Sequence, residues 1–185
     1  ADNDVVELEM DYILRAVGTG FNNGFGFQFA NVSPSAVQSI IGQDIQEGYI
    51  VNNANGTESG QQLATVIAFD NVFNVMPNPG TKFINTVIGQ TMVDPETLSL
   101  AVSFTNAVPI ADLGLPPYNP FIIIKKNRGR EVHLPDLPPT DLADAAVFGT
   151  VDDDTNPGSG KYYKTENNLP WALNISGSFE YPIEY

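Results

Sequence analysis

Between positions 5 and 16 apolar and polar residues alternate almost without fault. Val6, Leu8, Met10, Tyr12, Leu14 and Ala16 fall on one face, and Glu7, Glu9, Asp11 and Arg15 on the other, with only Val5 and Ile13 interrupting the polar set. A period of two over this length predicts a long strand with one face buried and one wet, the pattern of an antiparallel sheet. Asn23-Gly24, a pair suited to a tight turn, comes next, and Phe25, Phe27 and Phe29 then alternate with Gly26 and Gln28. The first two strands are therefore expected to form a hairpin.

Further along, Ser33-Pro34 precedes Ala36, Val37, Ile40 and Gly42, which suits either a short capped helix or the end of a strand. Asn55-Gly56 marks a turn before an apolar, β-branched run at 63–69 that should be central and buried. Strand patterns follow at 83–88, 98–104, 121–124 and 130–134; in the second, Leu98, Leu100, Val102 and Phe104 point inward and Ser99 and Ser103 outward. Residues 109–120 are a proline-stiffened connection inside one domain, because an apolar strand resumes at 121. The longest stretch without strand pattern is 135–160, where residues 140–144 offer a cap for one helical turn. Leu173, Ile175, Phe179 and Tyr181 share a face of a last strand at 173–181. About eight strands, few helices and long late connections predict an all-β, antiparallel two-sheet β-sandwich, with a jelly-roll order as one option.

Composition narrows the classes of function. At 185 residues the chain suits one domain, 1–185, and 42% apolar residues suffice for its core. Charged residues make up only 16%, while 16 Gly and 14 Pro serve many turns. A net charge of -14 opposes nucleic acid and anionic membrane surfaces as partners. Without cysteine there is neither a disulfide framework nor a thiolate site. No apolar stretch approaches the ~20 residues of a membrane-spanning helix.

The blocks Leu14 to Gly18, Asn23 to Gly26, Asn55 to Glu58, Tyr118 to Phe121, Glu131 to Pro135, Pro138 to Asp141, Phe148 to Thr150 and Asn167 to Ala172 follow one another in an order that resembles the LruC-type domain family of bacterial surface proteins and lipoproteins. The resemblance implies export to the outer face of a bacterial envelope and no enzymatic activity. It also implies truncation at both ends, since the family pattern begins with an acidic Asp-x-Asp-x-Asn-Asp segment and runs on beyond the position of Tyr185.

Candidate chemistry is sparse. His133, the only histidine, would have to serve any Ser-His-Asp or zinc chemistry, and a sheet-bonded structural role weighs against both. Tyr162 and Tyr163 with His133 match the proton-transfer groups of a polysaccharide lyase, but so few cations leave little to bind an anionic polymer. Trp171, Tyr162 and Tyr163, with Tyr118, are candidates for stacking a sugar ring, and Asn167 for bonding its hydroxyls, against the alternative of core and turn roles. The acidic loop Asp152-Asp153-Asp154-Thr155-Asn156 spaces Asp152, Asp154 and Asn156 at every second residue, as oxygen ligands of calcium are spaced. It is no EF-hand, since Pro157 stands at the glycine position and Tyr163 at that of the bidentate Glu. Asp153 would join them, with Asp141, Asp144 or Glu58 completing the shell; the alternative is a solvated acidic loop. Three functions are thus expected in order: a calcium-stabilised surface or adhesion module for a glycan or surface protein, a subunit that self-assembles through an open sheet edge, and a polysaccharide-active enzyme.

Overall fold

The structure, a computed structural model, describes residues 4–76, 80 and 83–177. Among these residues seven strands form two antiparallel sheets: β1 (Asp4–Leu14), β2 (Gly24–Gln28), β3 (Val37–Ile41), β4 (Thr65–Phe69), β5 (Glu96–Pro109), β6 (Asn119–Ile123) and β7 (Glu131–His133). One sheet has the order β1-β5-β3, the other β4-β2-β6-β7. The expected all-β sandwich is therefore what the chain forms. Two single-turn helices, α1 (Val72–Val75) and α2 (Ile110–Leu113), interrupt the strands. No helix among the described residues is long and apolar enough to cross a membrane.

The main core lies between the sheets. Phe27, Phe29, Val66 and Ala68 from the four-stranded sheet meet Leu100, Val102 and Phe104 from the other. Tyr118 also packs against Phe27 and Phe29, so it is a core residue and not a sugar platform. All of β4 is buried, because Ile67, with Phe121 and Ile123, faces the opposite side of its sheet and sits in a second cluster with Ile50. The four-stranded sheet is thus covered on both faces, and its outer cover carries the candidate site.

Four local expectations need correction. β1 and β2 are not a hairpin: β1 pairs with β5, while β2 lies between β4 and β6 in the other sheet. Gly24 does not turn the chain there. A Cβ on it would stand 2.6 Å from the Tyr49 hydroxyl and 3.0 Å from the Phe69 carbonyl oxygen, so the glycine serves close packing. Gly56, at φ +90°, does make the expected turn. Within β1 a bulge after Val5 turns Val5 inward and leaves Val6 64% exposed, reversing the assignment of that pair.

The run 83–88 is no strand. Asn85 adopts φ +58°, and its side chain bonds the carbonyls of Arg15 and Val93 and the Val93 N–H, replacing the backbone pairing of a strand. Residues 173–177 carry no strand either, and Leu173 is 72% exposed, so the alternation there does not coincide with a buried face. The remainder of that expected strand, 178–181, is outside the described residues. Both options at 33–42 occur in part: Pro34–Ala36 form a 3-10 turn and β3 starts at once.

Candidate functional site

The outer face of β6 and β7 is built around an ion network between aromatic rings. Alternation along β7 places Glu131 and His133 on one face, and β6 sets Phe121 opposite His133. Arg128, in the turn between the two strands, reaches back over the Phe121 ring at 5.2 Å. Its guanidinium donates bidentately to Glu58, through Nε to Oε1 and through Nη2 to Oε2 at 2.7 Å. Nη1 donates to Glu131 Oε2 at 2.6 Å and Nη2 to the Thr140 hydroxyl at 2.8 Å. The Thr140 hydroxyl donates in turn to Glu131 at 2.9 Å, and Gln61 Nε2 to Glu58 Oε2 at 2.7 Å. Glu58, expected as a calcium ligand, is thus a buried ion-pair partner. The network ties three chain segments, 58–61, 128–131 and 140, to the sheet.

Burial and pairing oppose each other here. Burial alone would raise the Glu131 carboxyl, but His133 and Arg128 beside it hold it below the ordinary carboxylate range. Burial lowers the His133 pKa, against the pull of Glu131. His133 Nδ1 lies 2.6 Å from Asn119 Oδ1, whose own amide donates to the Pro138 carbonyl, so Nδ1 carries the proton. Its Nε2 stands 3.1 Å from Glu131 Oε1 without completing an aligned hydrogen bond.

His133 is sandwiched between Phe121, at 4.9 Å, and Tyr163, at 5.0 Å between ring centres. Tyr163 is only 4% exposed, so neither ring is open to a polymer. Burial, then Glu131 and Asp153, raise the Tyr163 pKa far above its ordinary value. Tyr162 is half-buried, and its carbonyl accepts from Asp136 N–H.

Through Tyr163 the segment 147–171 is docked on this face. Thr155 Oγ1 accepts from Tyr163 N–H, the Tyr163 carbonyl accepts from Trp171 N–H, and Asp154 N–H donates to the Lys164 carbonyl. These bonds fix Trp171, which is 45% exposed, with its indole Nε1 donating to Asp153 Oδ1 at 3.1 Å. The indole borders two cavities: a cleft of about 640 Å³ lined by Asp152, Asp153, Asp154, Glu166, Asn167 and Leu169 among others, and a more apolar pocket of about 440 Å³ lined by Phe148, Val132 and Tyr163 among others.

The structure therefore brings Trp171 and Asn167 together with Asp152, Asp153 and Asp154 at one cleft, and places Tyr163 beside Trp171 and Asp153 in the neighbouring pocket. Asp153 also accepts from Gly149 N–H and the Thr155 hydroxyl, and Asp154 pairs with Lys161 at 2.6 Å. Asn156 caps the turn Pro157–Ser159 by accepting from Gly158 N–H. Asp141 accepts from the backbone and side-chain amides of Gln62, and Asp144 caps the turn Ala145–Val147. Among the described residues, no three His, Asp or Glu side chains gather closely enough to hold a metal ion.

Sequence reasoning missed Arg128 and the pairing role of Glu131. The alternation Glu131-Val132-His133 does signal that two titratable groups share a face; nothing local signals Arg128, whose partner Glu58 is 70 residues away. No curated protein and no solved structure matches this chain. One family model does, over residues 3–185, nearly the whole length. The chain belongs to the family described as a domain of unknown function, DUF4842.

Proposed function

We propose that the protein is a non-enzymatic binding module of the bacterial cell surface that holds a neutral glycan in the cleft beside Trp171. One observation carries this: an indole that is 45% exposed, fixed by hydrogen bonds to Asp153 and through its backbone to Tyr163, forms the wall of a cleft otherwise rich in oxygen groups. A flat ring stacks on the apolar face of a sugar, while carboxylates and an amide at its edge accept from and donate to hydroxyls. Asp152, Asp154, Glu166 and Asn167 supply that edge. Their charge, with -14 overall, disfavours acidic polysaccharides and points to neutral ones. The resemblance to LruC-type surface domains supports the extracellular setting.

Calcium belongs to the same proposal as an ion held by the 152–154 loop, where Asp154 would exchange Lys161 for the ion while Asp153 keeps its bond to Trp171. Millimolar calcium then raises the melting temperature and EDTA lowers it; no shift either way removes calcium from the account. The test of the glycan site is an array of neutral and acidic oligosaccharides probed with the wild type and Trp171→Ala, in calcium and in EDTA. The expected result is retention on neutral glycans that Trp171→Ala abolishes. Retention unchanged in Trp171→Ala, or no retention of any glycan by the wild type, overturns it.

Self-assembly through a sheet edge is the second reading. It is favoured by β1, an 11-residue strand at the edge of its sheet. Glu7, Glu9 and Asp11 along that edge weigh against it, since they would repel their counterparts in a second copy. Sedimentation that stays monomeric over a wide concentration range would eliminate it. A lyase mechanism has the least support, because His133 and Tyr163 are buried against each other.

A further inference from the structure

We infer that the open edge of β1 docks an extended segment of a partner protein in which basic and apolar residues alternate, added to the three-stranded sheet as a fourth strand. The backbone is the first observation. β1 runs for 11 residues, about twice the usual strand, and pairs with β5 along one side; among the described residues no backbone group bonds its other side. The usual guards of an edge are missing from it, since it holds no proline and no lysine and its bulge lies near the end, after Val5.

Its two rows of side chains select the partner. Leu8, Met10, Tyr12 and Leu14 face the core but are only half-buried, so apolar residues of an added strand would cover them. On the opposite face Glu7, Glu9 and Asp11 stand exposed at every second position, across from Ser103, Ala101 and Ser99 of β5. The two serine hydroxyls donate to Glu7 at 3.0 Å and to Asp11 at 2.6 Å. No ion pair among the described residues includes any of the three carboxylates. The trough of about 500 Å³ that Glu9 and Asp11 line with Ser99, Ala101 and Ile41 has no basic side chain in its described lining. Lysines or arginines on the same face of an added strand would come within cross-strand distance of this row. A second β1 would instead set carboxylate against carboxylate, so the charge that opposes self-pairing favours a basic partner. The site is the edge considered for self-assembly with a different occupant, and it does not rest on glycan binding.

The experiment titrates the full chain with three synthetic peptides, followed by amide chemical shifts and hydrogen exchange. They are the alternating acetyl-KVKVKVK-amide, its reordered form acetyl-KKVVVKK-amide and the acidic acetyl-EVEVEVE-amide. The alternating peptide should bind saturably with a Kd below about 1 mM, shift the amides of residues 7–14, slow their exchange, and weaken at least about tenfold between about 50 and about 500 mM salt. The reordered peptide, equal in charge, should bind at least about tenfold more weakly, and the acidic peptide should not bind. Glu7→Gln/Glu9→Gln/Asp11→Asn, all at exposed positions, should weaken the alternating peptide about tenfold, the combined effect of three ordinary cross-strand pairs. Equal binding of the two basic peptides, shifts confined to residues outside β1, or undiminished binding in the triple variant overturns the proposal. Concentration-dependent dimers of the wild type that protect β1 would make a second copy the occupant and overturn it as well.

Discussion

Replacing Arg128 by Met should be among the most damaging single changes on the outer face of the four-stranded sheet. The guanidinium side chain is 12% exposed, and the carboxylates it serves, Glu58 and Glu131, are at 1% and 0%. Methionine keeps the unbranched stem out to about the Nε position, but leaves both carboxylates without a cation. Removing one partner of a buried ion pair costs about 3–5 kcal/mol, because the stranded charge must be hydrated or protonated. Here Gln61 and Thr140 still donate to the two carboxylates, which places the loss at the low end, about 3 kcal/mol. For a chain of this size that is a fall in melting temperature of roughly 6–12 °C. Urea unfolding measures it directly, as a lower midpoint at constant slope. Adding Glu58→Gln to Arg128→Met should then cost less than Glu58→Gln alone, a coupling of about 1–3 kcal/mol. A loss under about 1 kcal/mol for Arg128→Met, or strictly additive effects, would mean the network behaves as a surface pair and does not anchor the site.

Acid should weaken the fold in two steps. The folded pKa of His133 lies below its ordinary 6.5, so its contribution is complete above 6.5 and falls as pH drops below it, by up to about 1.4 kcal/mol per pH unit; Glu131, held below 4.5, adds a second loss as pH falls through its folded pKa. His133→Gln should remove the upper step, and a melting temperature that is flat from pH 7 to 5 in the wild type would contradict it. Val151 sits at φ +50° although β-branched, and is 89% exposed, so Val151→Asn should stabilise by about 0.5–1 kcal/mol in the same urea assay; a loss would refute strain at that residue. Phe27, fully buried between the sheets, should cost about 3–5 kcal/mol when cut to Ala, and a cost under 1 kcal/mol would place the core elsewhere.

The strands were legible where a period of two coincides with burial. Leu98, Leu100, Val102 and Phe104 alternate inward along β5, and Phe27 and Phe29 supply the facing layer, as their spacing implies. Pairing was not legible, because alternation says which face a residue takes and nothing about which strand lies beside it. Asn23-Gly24 shows the difference: the dipeptide favours a turn, yet tertiary packing against Tyr49 and Phe69 governs Gly24. Trp171 and Asn167 were found as a pair because they stand four residues apart in the sequence, and both line the same cleft. The acidic loop was found as a sequence, but its hydrogen bonds to Trp171, Lys161 and Gly158 depend on how residues 147–171 fold back on themselves. Arg128 and Glu58 were invisible as partners, since a contact across 70 residues has no local pattern.

Trp171 is the only tryptophan in the chain, so its emission reports on the cleft without labelling. A fluorescence titration of the wild-type protein with neutral oligosaccharides, repeated with Asn167→Ala, is the most direct test of the proposed function. A saturable change in intensity or wavelength with at least one neutral glycan, weakened about tenfold by Asn167→Ala, is the result expected for a sugar stacked on the indole and bonded at its edge. Emission that stays constant across the panel, from protein shown to be folded, would contradict a glycan site at Trp171.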